Sequence, residues 1–183
     1  MKKLLLTLLL PLIAFSSVSY GEEINSLFGT TLNENAEKYA SSNYINSNKL
    51  KNTETLSGYY DLLMTDKIKT KSPYASEYYF TIDTNNIVHS ITGFEEYANL
   101  KNCQAVLETL SLSLEERYEI DFLYWEPSFP TGKKYAHYHY TSSGNYFEIQ
   151  CNENFEDSSI LMQTYLDSKL LVEAFNEFYN SGL

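Results

Sequence analysis

Leu100, Cys103, Leu107, Leu110 and Leu114 recur at alternating spacings of three and four, an apolar stripe along one side of a helix ending near Arg117-Tyr118. Cys103 lies on that stripe and is expected to face the core. Elsewhere the period is two, the signature of half-buried strands. Glu77 to Thr92 alternates about a turn at Asn85-Asn86. Its buried face is expected to carry Tyr78, Phe80, Ile82, Ile87, His89 and Ile91. A second hairpin is predicted from Tyr135–Thr141 and Asn145–Asn152 around Ser142-Ser143-Gly144. A two-residue turn at Ser143-Gly144 would oppose Tyr140 to Phe147, Tyr138 to Ile149 and Ala136 to Cys151, all facing the core. His139 would then oppose Glu148, and His137 Gln150, on the outer face. Cys151 turns inward in this register, so a Cys103–Cys151 disulfide would staple helix to sheet.

Thr31 or Asn33 is expected to cap a short helix to about Ser41, before a polar loop over residues 41–55. Leu56 to Thr65 and Ser159 to Leu166 read as strands. Glu119 to Gly132 contains two prolines among Tyr124, Trp125 and Phe129, which predicts an extended start and an aromatic loop. Asp167 or Ser168 is expected to cap a last helix with Leu170, Leu171, Ala174, Phe175 and Phe178 inward. The fold class is therefore α+β: an antiparallel β-sheet of about six strands, helices packed on one face, order α-βββ-α-βββ-α. The order hints at a duplicated helix-plus-three-strands unit.

The N-terminus changes the picture of where this fold works. Met1-Lys2-Lys3 precedes an apolar run from Leu4 to Phe15 and small residues at Ser16 to Ser19. This is the pattern of a secretory signal peptide over residues 1–19, leaving one globular domain over 20–183. The run is shorter than the roughly 20 residues that span a bilayer, and no later segment is apolar enough to span one. Abundant Lys and Asn with a single Arg suggest an AT-rich bacterial genome, hence a periplasmic or secreted protein. Two cysteines in an exported chain read as one disulfide.

The chain has 183 residues, 24 acidic against 13 basic, and a net charge of −11. That charge disfavours nucleic acid or an anionic membrane as partner and permits a basic one. Seventeen tyrosines are more than a core of this size needs. Strand propensity accounts for many of them. Alternation puts Tyr79, Tyr135 and Tyr146 away from the core, and Tyr135, Tyr146, Trp125 and Phe129 form the candidate partner-binding patch.

Catalytic patterns are scarce. The chain lacks Gly-x-Ser-x-Gly, His-Glu-x-x-His and a Gly-rich phosphate loop. His137, His139 and Glu148 on one face would be a weak metal site, against the alternative of a solvated polar face. His89 reads as a hydrogen-bonded core or edge histidine. Ser57-Gly58-Tyr59-Tyr60 resembles the Ser-Gly stretch of periplasmic lysozyme inhibitors; it covers four residues, and no function is carried across. The expectation is an exported, non-catalytic binding or accessory protein of inhibitor, immunity or envelope type, without cofactor. Its partner would be a protein or another macromolecule. The rivals are a metal-dependent or hydrolytic enzyme using the histidine face, and a carrier of a small apolar ligand.

Overall fold

The computed structural model describes residues 23–51, 56–68 and 70–180. The expected signal peptide lies outside them. Among the described residues the strands are β1 (Ser26–Leu27), β2 (Thr30–Thr31), β3 (Lys49–Lys51), β4 (Tyr59–Leu63), β5 (Glu77–Asp83), β6 (Val88–Tyr97), β7 (Leu123–Trp125), β8 (Ser128–Phe129), β9 (Gly132–Tyr140), β10 (Tyr146–Asn154) and β11 (Ile160–Asp167). The α-helices are α1 (Ser42–Asn48), α2 (Leu100–Tyr118) and α3 (Lys169–Asn180). The fold is α+β, with a nine-stranded antiparallel sheet and a separate β1–β2 ladder. The sheet order is β3-β4-β5-β6-β11-β10-β9-β7, and β8 also pairs with β9.

The centre of the sheet consists of two three-stranded meanders, β4–β5–β6 and β9–β10–β11. They meet antiparallel at β6 and β11, where Ile91 pairs with Leu166. Each meander is preceded by a helix, α1 and α2 respectively. The short strands β3, β7 and β8 lie at the margins. The strand count exceeds six because these two- and three-residue strands are too short to show a period in sequence.

One sheet face is covered. α2 packs across β10, β11, β6 and β9, with Cys103 and Leu107 buried against Ile149, Cys151 and Met162. At the other end the N-terminal segment supplies Leu32, Ala36 and Ile45 to the same core, over Leu62, Phe80 and Ile82. Gly93 sits on this face where a Cβ would come within 2.6 Å of the Phe28 ring. Its missing side chain admits Phe28, which packs edge-on to Tyr78 at 4.9 Å.

The expected helix to Ser41 is instead a single 3-10 turn, Ala36–Lys38. α1 occupies part of the expected polar loop, because Ser41 Oγ accepts from Tyr44 N and Ile45 is fully buried. Helices do not all lie on one face. α3 starts where Ser168 Oγ accepts from Leu171 N, then sets Leu171 and Phe175 over Thr92, Tyr165 and Asp167 on the opposite face. Leu170, expected inward, is exposed.

In the first hairpin Tyr78, Phe80, Ile82 and Ile91 are buried on one face as the alternation requires. A bulge between Thr81 and Ile82 pairs Ile82 with Val88, so Val88 is buried although alternation had placed it outside. The second hairpin has a different register from that expected. Tyr140 pairs with Tyr146, Phe147 with His139, Ile149 with His137 and Cys151 with Tyr135. Thr141 N donates to Asn145 O and Asn145 N to Thr141 Oγ1, both at 2.9 Å, closing a five-residue turn. An odd-numbered turn moves β9 by one position against β10 and exchanges its two faces.

Candidate functional site

The exchange redistributes the candidate residues. Tyr135, His137 and His139 lie on the α2 side of the sheet, whereas Glu148, paired with Tyr138, lies on the other. The three proposed metal ligands are therefore not brought together. His137 Nδ1 is 2.8 Å from Ser111 Oγ on α2, and burial pushes the His137 pKa down. His139 Nδ1 is 3.1 Å from the Asp121 carbonyl oxygen. Among the described residues no group of three or more His, Cys, Asp or Glu side chains is placed to hold a metal ion. Tyr135, expected outside, is partly buried against the core. Cys103 and Cys151 meet on the covered face, both fully buried, with Cα atoms 6.0 Å apart and S–S 2.03 Å.

The opposite face carries a chain of tyrosine rings across β9, β10 and β11. Tyr138 and Tyr140 both contact Tyr146, at centroid distances of 5.9 and 4.8 Å, and Tyr146 contacts Tyr165 at 5.8 Å. Beneath them Glu148 is completely buried. Its Oε2 accepts from the Tyr146 and Tyr165 hydroxyls, the latter at 2.8 Å. Its Oε1 pairs with Lys134 Nζ at 2.6 Å. Burial raises the pKa of both tyrosines, so each stays a neutral donor to the carboxylate. Lys134 Nζ also stands 4.9 Å from the Trp125 ring centroid. Trp125 is thus tied to the tyrosine face, while Phe129 lies further along, exposed beside Gly132.

Beside the tyrosine chain, toward α3, the sheet is hollowed. The hollow encloses about 780 Å³ over β4, β5, β6 and β11. Asp61, Glu77, Glu96 and Asp167 border it with Tyr79, Phe94, Tyr165 and Phe175, and none of its lining residues is basic. Asp167 accepts from Ser90 Oγ at 2.5 Å, and burial, opposed by that bond and reinforced by Glu148, pushes its pKa up to about 7. Alternation placed Tyr146 and Tyr79 on this face. Asp167 was read only as a helix cap, because a carboxylate after a strand looks the same in sequence whether it caps or is buried.

A second polar group resembles nucleophile, base and acid in line. Ser168 Oγ lies 3.0 Å from His89 Nδ1, and His89 Nε2 lies 3.5 Å from Asp83 Oδ2. Ser168 is 1% exposed and its hydroxyl caps α3. The group joins the start of α3 to β6 and to the end of β5.

No protein-family model matches the chain, and neither a curated protein nor a solved structure matches it significantly. No described helix is long and apolar enough to cross a membrane.

Proposed function

We propose that this is an exported, non-catalytic binding protein of the periplasm or cell exterior, and that its open sheet face receives a basic surface of a partner protein. The observation that carries this reading is the division of the sheet. One face is largely covered by α2 and the N-terminal segment, whereas the other combines four linked tyrosines with a wide hollow bordered by four acidic side chains. Tyrosines give large contact area with few rotors to freeze. Two of them, Tyr146 and Tyr165, are held by the buried Glu148, and the rings of Tyr138 and Tyr140 rest on Tyr146, which limits the ordering needed on binding. Asp61, Glu77 and Glu96 on that border would steer a cationic partner and make its association salt-sensitive. Export rests on the N-terminal pattern and on the buried cysteine pair, which suits an oxidising compartment.

The test places a photo-crosslinking benzoylphenylalanine at Tyr140, at Tyr79 or at Lys101 in cells that export the protein. Lys101 is exposed on α2, on the covered side. Adducts to one and the same protein from Tyr140 and Tyr79, absent from Lys101, are expected. Adducts from Lys101 alone would move the interface to the helical side and overturn the reading.

A further inference from the structure

β7 closes one end of the large sheet. It pairs with β9 along one side, and among the described residues no strand pairs with the other. Exposed sheet edges are normally blunted by lysines, prolines or a covering segment, because their free N–H and C=O groups template further pairing. Here the edge residues are Leu123, Tyr124 and Trp125, exposed at 56, 72 and 48%. Charges and a proline flank these three residues, at Asp121 before them and at Glu126 and Pro127 after them, but none lies within the strand.

Side chains along this edge alternate. Leu123 pairs with Tyr138 and Trp125 with Ala136, so both lie on the tyrosine side. Tyr124 pairs with His137 and lies on the α2 side, its ring edge-on to the imidazole at 4.3 Å. There a cleft of about 460 Å³ opens between β7, β9 and α2. Glu108, Ser111, Leu112 and Glu115 form its helical wall, and Glu126 adds a third carboxylate. None of its lining residues is Lys or Arg. Glu108 and Glu115 are close enough to His137 to work against the lowering of its pKa by burial. His137 itself is held by Ser111 and does not supply the missing cation.

We propose that the free edge of β7 is a second binding site, which takes an extended peptide segment as an added strand with an apolar–basic–apolar core. Cross-strand neighbours share a face. The residue opposite Tyr124 therefore enters the cleft, where an arginine stacks on the tyrosine ring and reaches Glu108. Its two neighbours fall beside Leu123 and Trp125, where apolar side chains cover exposed hydrocarbon. The charge of the cleft selects the middle residue, and the alternation of the edge selects its neighbours. The cleft that selects the basic residue lies on the opposite side of β9 from the tyrosine chain, so this site does not depend on the open-face reading.

Trp125 is the chain's one tryptophan, so its emission reports on the edge directly. The probe is a capped peptide, Ser-Gly-Val-Arg-Val-Gly-Ser, titrated into the exported protein. A saturable change in Trp125 emission is expected. It should weaken at least about threefold with Glu108→Gln, and vanish when Val-Glu-Val replaces the core or when the core amides are N-methylated. Glu108 is exposed on α2, so this variant keeps its fold. Equal binding of the N-methylated peptide would rule out strand pairing and overturn the proposal. So would an unchanged spectrum up to millimolar peptide. A dimer that shifts Trp125 emission without peptide would assign the edge to a second copy of the chain and also overturn it.

Discussion

Lys134 Nζ stands 2.6 Å from Glu148 Oε1 and 4.9 Å from the centre of the Trp125 ring, so one cation links a buried carboxylate to an edge-strand aromatic. The Glu148 side chain is 1% exposed and that of Lys134 16%. Removing one partner of such a pair strands a charge, at a cost of about 3–5 kcal/mol. Lys134→Met is therefore expected to lower the unfolding free energy by that order in urea titrations. Glu148→Gln added to that variant should restore part of the loss, because it removes the stranded charge and leaves an acceptor for the two tyrosine hydroxyls. A double variant no more stable than Lys134→Met would show that the pair is not the source of the loss.

Alternation within each strand of this pair was legible in sequence, because it depends only on the fixed two-residue period of the chain. The register between strands was not, because it depends on how many residues the turn consumes. Thr141 to Asn145 uses five, and the resulting one-position shift turned Tyr135 and the two histidines inward and Tyr138 and Tyr140 outward. The inward placement of Cys151 survived the error, since it follows from its own strand. Cys103 was placed by helical periodicity alone, and the two cysteines meet on the covered face. The aromatic character of the site was visible in composition. Its buried carboxylates were not, because Glu148 and Asp167 look like any of the chain's 24 acids until the sheet is assembled.

The cysteine pair connects α2 to β10 across 48 residues, and both residues are fully buried. On the chain-entropy account a loop of that length contributes roughly 3–4 kcal/mol. Cys151→Ala should thus lower stability by about 2–5 kcal/mol. A non-reducing peptide map of the exported protein should contain a Cys103–Cys151 cross-linked species. Two alkylatable thiols in the native protein would show that the cysteines pack without bonding.

Asp167 has its pKa pushed up from 3.8 to about 7 by burial. In the unfolded chain it ionises near 4, whereas the folded protein keeps the proton to about pH 7. Stability from this group is therefore fully present below about pH 4 and falls as pH rises to 7. The fall amounts to at most about 4 kcal/mol, less because the residue keeps partial contact with solvent. Asp167→Asn should match the parent near pH 4 and exceed it at pH 8, while retaining an acceptor for Ser90. Parallel stability curves across pH 4–8 would remove Asp167 as the titrating group.

The histidines offer a complementary check on the hairpin faces. His137 is engaged with Ser111, and Glu148 lies on the far side of the sheet. Zn²⁺ is therefore expected to leave the melting temperature unchanged. A zinc-dependent rise that His139→Ala abolishes would mean that the face assignment of β9 is reversed.

Tyr135 and Tyr140 belong to the same strand and lie on opposite faces of it, so truncating each separates packing from binding. Tyr135 packs against the core that contains Cys103 and Leu107. Tyr135→Ala removes a ring from beneath α2, where loss of a large core side chain costs on the order of 2–4 kcal/mol. Tyr140 is 55% exposed, and its ring rests on Tyr146 without a hydrogen bond among those of the described residues. Tyr140→Ala should change stability by no more than about 0.5 kcal/mol. It should also weaken association with the protein cross-linked at the open face by about 1 kcal/mol or more, roughly a fivefold or greater loss of affinity. A stable Tyr135→Ala beside an unfolded Tyr140→Ala would restore the two-residue turn and reverse β9. If both variants fold and Tyr140→Ala binds the partner unchanged, the tyrosine chain is a consequence of strand propensity and the interface lies elsewhere on the sheet.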